Sequence, residues 1–303
     1  MEIIDAHSHL WLKQDTMVDG CHIHSLEENK SRSTFFDGVR QMIPPFMIDG
    51  KNTAEVFLSN MDYAQVGGAV VVQEFIDGLQ NDYLAEVAAK HGERLKVCAM
   101  ADFRRDDFLA EAIRLIQSGI YAGMAIPEHR LCKPLNSPDM MMMYELMEEK
   151  GMILSLCLHE DNHQLKEVED IIGHFPGLKI AIGHFGMVTT EGWKDQVLLA
   201  RHENVMVESG GITWLFNSEF YPFPSAVQAI KEAADMVGIE KLMWGSDYPR
   251  TITAITYRMS YDFIIKSDCL TEGEKSLFLG ENARRFYGFG NLPQLPYIKN
   301  MSE

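Results

Sequence analysis

The chain has 303 residues, 46% of them hydrophobic, which is enough to bury one large core, and we predict a single domain over 1–303. Its 44 acidic and 27 basic residues give a formal net charge of −17, which repels polyanions and argues against nucleic acid as a partner. The sequence has no long apolar run and no basic leader, so we expect a soluble, cytoplasmic protein without a membrane partner.

Short apolar or β-branched runs alternate with segments of helical periodicity along the chain. The runs lie at 3–5, 68–73, 95–101, 122–126, 152–158, 179–182, 205–208 and 242–245. The helical segments lie at 53–65, 82–91, 108–118, 138–150, 164–175, 224–237 and 271–286. This alternation is typical of a parallel sheet, and eight units predict a closed (β/α)₈ TIM barrel of the α/β class.

Two segments depart from a minimal barrel. Residues 10–52 follow the first strand and are too long for a tight βα turn, so we interpret them as an insertion that forms a lid over the active site. The alternative is a packed excursion with its own short helices. The tail 288–303 contains Pro293 and Pro296, which argue against a final helix.

The first strand ends in His7-Ser8-His9. Because side chains alternate along a strand, histidines at i and i+2 point to the same side and can bind one ion. Taken alone, the pattern fits a surface pair equally well. Its position favours a site, because the carboxyl ends of barrel strands are where catalytic groups converge.

Three more polar residues stop predicted strands at the same end of the barrel. The fifth strand stops at His159, the sixth at His184, and the eighth leads into Asp247. Each histidine alone fits a structural hydrogen bond, but four at one end of a barrel indicate a metal site. The eighth strand neighbours the first in a closed barrel, so Asp247 can reach an ion held by His7 and His9.

Three histidines and a carboxylate suit one divalent ion, with zinc the first choice and manganese or iron(II) as alternatives. Such an ion polarises a carbonyl or activates water, and we expect Asp247 to accept the proton as general base. His184 is expected beside the water or the substrate. It is alternatively a ligand, since the sequence does not fix distances.

The motifs resemble the amidohydrolase superfamily. They are Ile4-Asp5-Ala6-His7-Ser8-His9, the segment from Phe175 to Gly186, Leu242-Met-Trp-Gly-Ser-Asp247-Tyr-Pro249, and the ending Gly280 to Gly288. They are most similar to the amidohydrolase-2 branch, which resembles aminocarboxymuconate-semialdehyde, resorcylate and carboxyvanillate decarboxylases. The resemblance implies a TIM barrel with His7, His9, His159 and Asp247 as metal ligands and His184 as the catalytic histidine. It also implies a homodimer.

Binuclear members of the superfamily use a carboxylated lysine on the fourth strand, which this chain lacks, so the resemblance implies a mononuclear site. Glu128 and His129 end that strand and leave open a second ion or a substrate contact. Further candidates for substrate binding are Arg250, Arg130 and Gln73. The alternative for the arginines is a structural ion pair.

The leading functional hypothesis is hydrolysis of a small organic substrate, such as a carboxylate, amide or lactone, through a metal-activated water. The alternative is non-oxidative decarboxylation of an aromatic or unsaturated acid. A TatD-like phosphoesterase also opens with the HxH motif, but the acidic composition argues against it.

Overall fold

A computed structural model describes residues 1–127, 130–131 and 133–301. Within these residues the strands are β1 Ile4–Ser8, β2 Asp15–Val18, β3 Cys21–Leu26, β4 Asn29–Phe35, β5 Gly38–Gln41, β6 Gly68–Val71, β7 Leu95–Ala99, β8 Gly123–Pro127, β9 Ile153–Cys157, β10 Lys179–Ile182, β11 Val205–Glu208 and β12 Leu242–Met243. The α-helices are α1 Ala54–Ala64, α2 Asn81–His91, α3 Phe108–Gln117, α4 Pro138–Glu149, α5 Leu165–His174, α6 Trp193–Leu198, α7 Ile212–Leu215, α8 Pro224–Val237, α9 Met259–Lys266, α10 Glu272–Ser276 and α11 Asn282–Tyr287.

The central sheet has eight strands, all parallel, in the order β1-β6-β7-β8-β9-β10-β11-β12. The chain beyond β12 closes the sheet on β1. The Ala6 N–H donates to the Trp244 carbonyl (2.9 Å), the Asp247 N–H to the His7 carbonyl (2.9 Å) and the His9 N–H to the Tyr248 carbonyl (2.7 Å). The (β/α)₈ TIM barrel predicted from the sequence is therefore confirmed.

The barrel strands are buried on both faces, which explains why they read as continuous apolar runs. Alternate residues fill the barrel interior, among them Ile4 and Ala6 of β1 and Val70 of β6. Their neighbours along each strand pack outward against the helices. Phe289, at the start of the tail, packs into the inner cluster, so this part of the tail belongs to the core.

The insertion forms an antiparallel sheet in the order β2-β3-β4-β5. Its regular elements are strands and not the short helices of the alternative, and its function as a lid stays a prediction. The two-residue turn between β2 and β3 is Asp19-Gly20, a strong hairpin signal, and the turn between β4 and β5 is Phe36-Asp37, directly before Gly38. The two ends of the insertion meet at an antiparallel bridge between Trp11 and Asn52.

The predicted helices are present within a residue or two at each end, with one exception. The segment 271–286 begins as α10, widens into a π-helical turn at Leu277–Glu281 and continues as α11. A Cβ atom at Gly280 would lie 2.1 Å from the Glu2 carbonyl oxygen, so the turn is where the helix meets the chain entering β1. The helices α6, α7 and α9 were not predicted. None of the described helices is both long enough and apolar enough to span a membrane.

Candidate functional site

A cavity of about 680 Å³ opens at the carboxyl ends of the barrel strands. Its lining includes all eight predicted site residues that the structure describes, which are His7, His9, Gln73, Arg130, His159, His184, Asp247 and Arg250. The insertion contributes Phe35, Arg40, Gln41 and Met42 to the same wall. The predicted residues Glu128 and His129 lie outside the described residues.

Three predicted ligands form a buried cluster at the base of this cavity. His7, His9 and Asp247 each offer one ligand atom, and these atoms lie within 4.8 Å of one another. The His7 Nε2 atom lies 3.1 Å from His9 Nε2, and His9 Nε2 lies 3.1 Å from Asp247 Oδ1. Two imidazoles and a carboxylate are a typical donor set for a divalent transition metal.

Carboxylates lie on the far side of both imidazoles, and the one beside His7 fixes the hydrogen position on that ring. His7 Nδ1 donates to Glu208 Oε1 at 2.7 Å, and His9 Nδ1 lies 3.2 Å from Asp77 Oδ2. With its hydrogen on Nδ1, His7 directs an Nε2 lone pair toward His9 and Asp247, whereas His9 Nδ1 makes no hydrogen bond to Asp77 despite their proximity. Three electron-pair donors that face one point need a cation between them, so the residues present fit a divalent metal.

Buried charges also favour a cation at this point. Burial acts to lower the pKa of His7, but the Glu208 carboxylate outweighs it and raises this pKa to about 9. Burial acts to raise the pKa of Asp247, but Arg250 and His9 hold it well below its usual range. Asp247 is therefore a carboxylate at neutral pH, as a metal ligand must be.

Asp247 is held by neighbours on both of its oxygens. Trp214 Nε1 donates to Oδ2 at 2.7 Å, and Arg250 donates to Oδ1 at 3.3 Å. Arg250 also donates to both oxygens of Asp77, at 2.8 and 3.0 Å. The Arg250 guanidinium thus has two carboxylate partners within the protein, and its predicted role in substrate binding stays a prediction.

His184 lies beside the cluster, with its ring centroid 4.7 Å from that of His7. Its Nδ1 donates to the Gly210 carbonyl at 2.9 Å, so the unprotonated Nε2 is free to act as an acceptor in the cavity. Burial, reinforced by the nearby His7, lowers the pKa of His184. His184 is thus a neutral imidazole at neutral pH.

The backbone of two site residues is strained. His184 adopts the left-handed conformation (φ 53°), as does Asp247 (φ 58°), and such strain is frequent at functional sites.

His159 lies apart from the other predicted ligands. Its side chain lines the cavity but is 43% exposed, and its Nδ1 lies 3.1 Å from Asp161 Oδ1. Together with His163 these residues form a second, more exposed group of ligand-type side chains at the rim. The structure therefore brings together three of the four predicted ligands and leaves the fourth at the cavity wall.

The other predicted substrate contacts have partners within the protein. Arg130 Nε donates to Glu74 Oε1 at 3.1 Å, and its guanidinium lies 5.0 Å from the ring centre of Phe36. Gln73 donates to Asn81 and to the Cys98 carbonyl, both at 2.9 Å, and accepts from the Gln80 N–H. Gln73 thus stabilises the loop after β6, and its predicted contact with the substrate stays a prediction.

Sequence reasoning missed Glu208, Asp77 and Trp214. Glu208 ends the seventh barrel strand, and its position at a strand end, like that of His159 and His184, could have identified it. Asp77 ends the short 3-10 helix Phe75–Asp77, and Trp214 lies in the four-residue helix α7. Neither has a periodic signal around it.

The family model described as Amidohydrolase matches residues 4–289. The chain belongs to the amidohydrolase-2 family. This confirms the resemblance seen in the motifs, and as an amidohydrolase the chain is an enzyme. No curated protein sequence matches it at a significant level.

Solved structures resemble this amidohydrolase over most of its length. A probable 2-pyrone-4,6-dicarboxylic acid hydrolase from Acinetobacter baumannii, with citric acid bound, is 18% identical with a TM-score of 0.68, covering 95% of this chain and 100% of that one. A zinc-bound amidohydrolase from Burkholderia multivorans is 17% identical with a TM-score of 0.69, covering 97% and 100%. The 5-carboxyvanillate decarboxylase of Sphingomonas paucimobilis is 17% identical with a TM-score of 0.56, covering 80% and 86%. At these identities the likeness shows the fold.

Proposed function

We propose that this amidohydrolase is a divalent-metal-dependent hydrolase of a small, carboxylate-bearing organic molecule. The observation that carries the proposal is the convergence of His7 Nε2, His9 Nε2 and Asp247 Oδ1 at the base of a deep cavity. Zinc is the proposed ion, because imidazole nitrogen and carboxylate oxygen suit it and a zinc-bound amidohydrolase shares the fold. His159 is proposed as a further ligand, which requires its imidazole to leave Asp161.

When bound, the ion supplies Lewis acidity toward an oxygen of water or substrate. Asp247 is proposed to take the proton released in the hydrolytic step, at a carboxylate oxygen. Trp214 keeps the carboxylate oriented through its hydrogen bond to Oδ2. His184, neutral and with its Nε2 in the cavity, is proposed to hold the reacting group by accepting a hydrogen bond or a proton.

Cationic side chains on the cavity wall support an anionic substrate. Arg40, on β5 of the insertion, and Arg130 both line the cavity, and they are paired with Asp37 and Glu74, so a substrate carboxylate would have to replace these partners. Arginine recognises carboxylates through paired N–H donors. A hydrolase of a dicarboxylic acid with bound citrate shares the fold, which agrees with this substrate class.

Decarboxylation is the second candidate, since a carboxyvanillate decarboxylase and a 2,6-dihydroxybenzoate decarboxylase also share the fold. An ion that binds a substrate carboxylate serves this reaction as well. We rank hydrolysis first because the 2-pyrone-4,6-dicarboxylic acid hydrolase structure matches more of this chain than either decarboxylase structure does.

The test is turnover by zinc-loaded and zinc-depleted protein on two panels. One panel contains lactones, esters and amides that carry a carboxylate, and the other contains hydroxybenzoates. We expect zinc-dependent release of acid or amine from the first panel, with Asp247→Asn inactive. Release of CO₂ from the second panel would establish the decarboxylase instead. Absence of zinc binding, or turnover that does not depend on zinc, would refute both.

A further inference from the structure

Glu208 is a buried carboxylate that has no role in the function proposed above. Its side chain is 2% exposed at the end of β11, yet it lies next to two residues of the site. A buried carboxylate is costly unless donors surround it, so its partners indicate what it does.

The donors to Glu208 come from three parts of the barrel. Oε1 accepts from His7 Nδ1 at 2.7 Å and from the His184 backbone N–H at 3.2 Å. Oε2 accepts a short hydrogen bond from the Gly210 backbone N–H. The Gly210 carbonyl in turn accepts from His184 Nδ1 at 2.9 Å.

This arrangement sets the hydrogen position on two imidazoles at once. His7 gives its Nδ1 hydrogen to Glu208 directly, and His184 gives its Nδ1 hydrogen to the residue that Glu208 holds. With a metal bound, both rings therefore present an unprotonated Nε2 to the cavity. Carboxylates that hold a ligand histidine in this way fix its tautomer and orientation.

Three glycines leave the space that Glu208 occupies. A Cβ atom at Gly183 would lie 2.9 Å from Oε1, and Cβ atoms at Gly210 and Gly245 would lie 2.8 and 2.7 Å from Oε2. Such distances are shorter than real Cβ contacts. The glycines follow three neighbouring barrel strands, so the absence of side chains at these positions leaves room for the carboxylate.

We propose that Glu208 is a positioning residue that orients His7 for metal binding and His184 for catalysis. The inference rests on the proposed metal function. It goes beyond that function because it assigns a single carboxylate to a ligand and to a catalytic histidine together.

The test measures Zn²⁺ affinity by competition with a chromogenic chelator. Glu208→Gln removes the charge and places an amide N–H₂ among N–H donors, and we expect Zn²⁺ to bind roughly 10- to 100-fold more weakly. Glu167→Gln is the matched control, since Glu167 also accepts a backbone N–H, from Leu135 at 2.6 Å. We expect the control to bind Zn²⁺ like the wild type.

A double-mutant cycle shows whether Glu208 acts through His7. In a His7→Ala background, Glu208→Gln has no ligand left to orient, so we expect it to cause no further loss of Zn²⁺ affinity. Additive losses would overturn the inference, as would an unchanged affinity in the single variant. A wild-type protein that binds no Zn²⁺ would overturn the proposed function as well, which distinguishes the two failures.

Imidazole ¹⁵N spectra of the wild type keep the inference testable if Glu208→Gln does not fold. In the zinc-loaded protein, we expect the rings of His7 and His184 both to carry hydrogen on Nδ1. Hydrogen on Nε2 of either ring would contradict the proposed role of Glu208.

Discussion

The space around Glu208 allows a quantitative test with a single methyl group, in the variant Gly245→Ala. The new Cβ atom would lie 2.7 Å from Glu208 Oε2 and 2.8 Å from His7 Cβ. Ordinary contact begins at 3.4 Å, so these atoms must separate by about 0.6–0.7 Å. Metal–ligand distances tolerate only about 0.2 Å. The displacement of His7 therefore exceeds what the metal site can absorb.

We expect Gly245→Ala to weaken Zn²⁺ binding by about 100-fold or more, which corresponds to about 2.7 kcal/mol. Overpacking should also lower the free energy of unfolding of the zinc-free protein by about 1–3 kcal/mol. The assays are chelator competition for Zn²⁺ affinity and denaturant unfolding for stability.

Gly173→Ala is the control, because Gly173 lies in α5 and a Cβ atom there meets nothing within 4 Å. This variant should keep its Zn²⁺ affinity and gain up to about 1 kcal/mol from helix propensity. The reasoning is refuted if Gly245→Ala binds Zn²⁺ as tightly as Gly173→Ala does.

Four further predictions concern the site and its surroundings. His184→Ala should keep Zn²⁺ affinity and lose turnover; an equal loss of both would make His184 a ligand. Trp214→Phe removes the donor to Asp247 Oδ2, a hydrogen bond to a charged group worth about 1.5–3 kcal/mol, so kcat/KM should fall roughly 10- to 100-fold with Zn²⁺ retained. Removal of zinc by a chelator should abolish turnover and lower the melting temperature, and zinc at 100 times its Kd should restore about 2.7 kcal/mol of stability in denaturant unfolding. Burial raises the pKa of Cys98 to about 12, so its reactive thiolate is absent at pH 8; peptide mapping after iodoacetamide treatment should find the exposed Cys269 alkylated and Cys98 intact unless the protein is unfolded first.

The barrel and the centre of its site could be predicted because parallel strands have two strong sequence signals. Their buried runs are continuous, and their carboxyl ends converge at one end of the barrel. A polar residue directly after such a run, such as His184, therefore has a predictable location. Side chains in the short helical turns that follow the strands have no such constraint, which is why Trp214 and Asp77 were not found.

The sequence also could not show which way a side chain points once its strand has ended. His159 follows its strand as His184 does, yet its imidazole pairs with Asp161 at the rim. The break in the predicted helix 271–286 likewise depends on a tertiary contact, between Gly280 and Glu2. The insertion is a different case. Its Asp19-Gly20 turn carries a hairpin signal that the sequence interpretation did not use, and the outer strands β2 and β5 are too exposed to show a clear alternation.

The seam that closes the barrel has a consequence for protein synthesis. His7 and His9 lie on one side of it and Asp247 on the other, joined by backbone hydrogen bonds between β1 and the segment after β12. Asp5 accepts four hydrogen bonds. Three of them, from Ser246 and Tyr257, cross the same seam. A growing chain on the ribosome holds its HxH pair from the start, but it cannot complete the cluster until Asp247 has emerged. If the cluster binds the proposed metal, an interrupted chain that ends before Asp247 would hold no complete site with which to bind an ion.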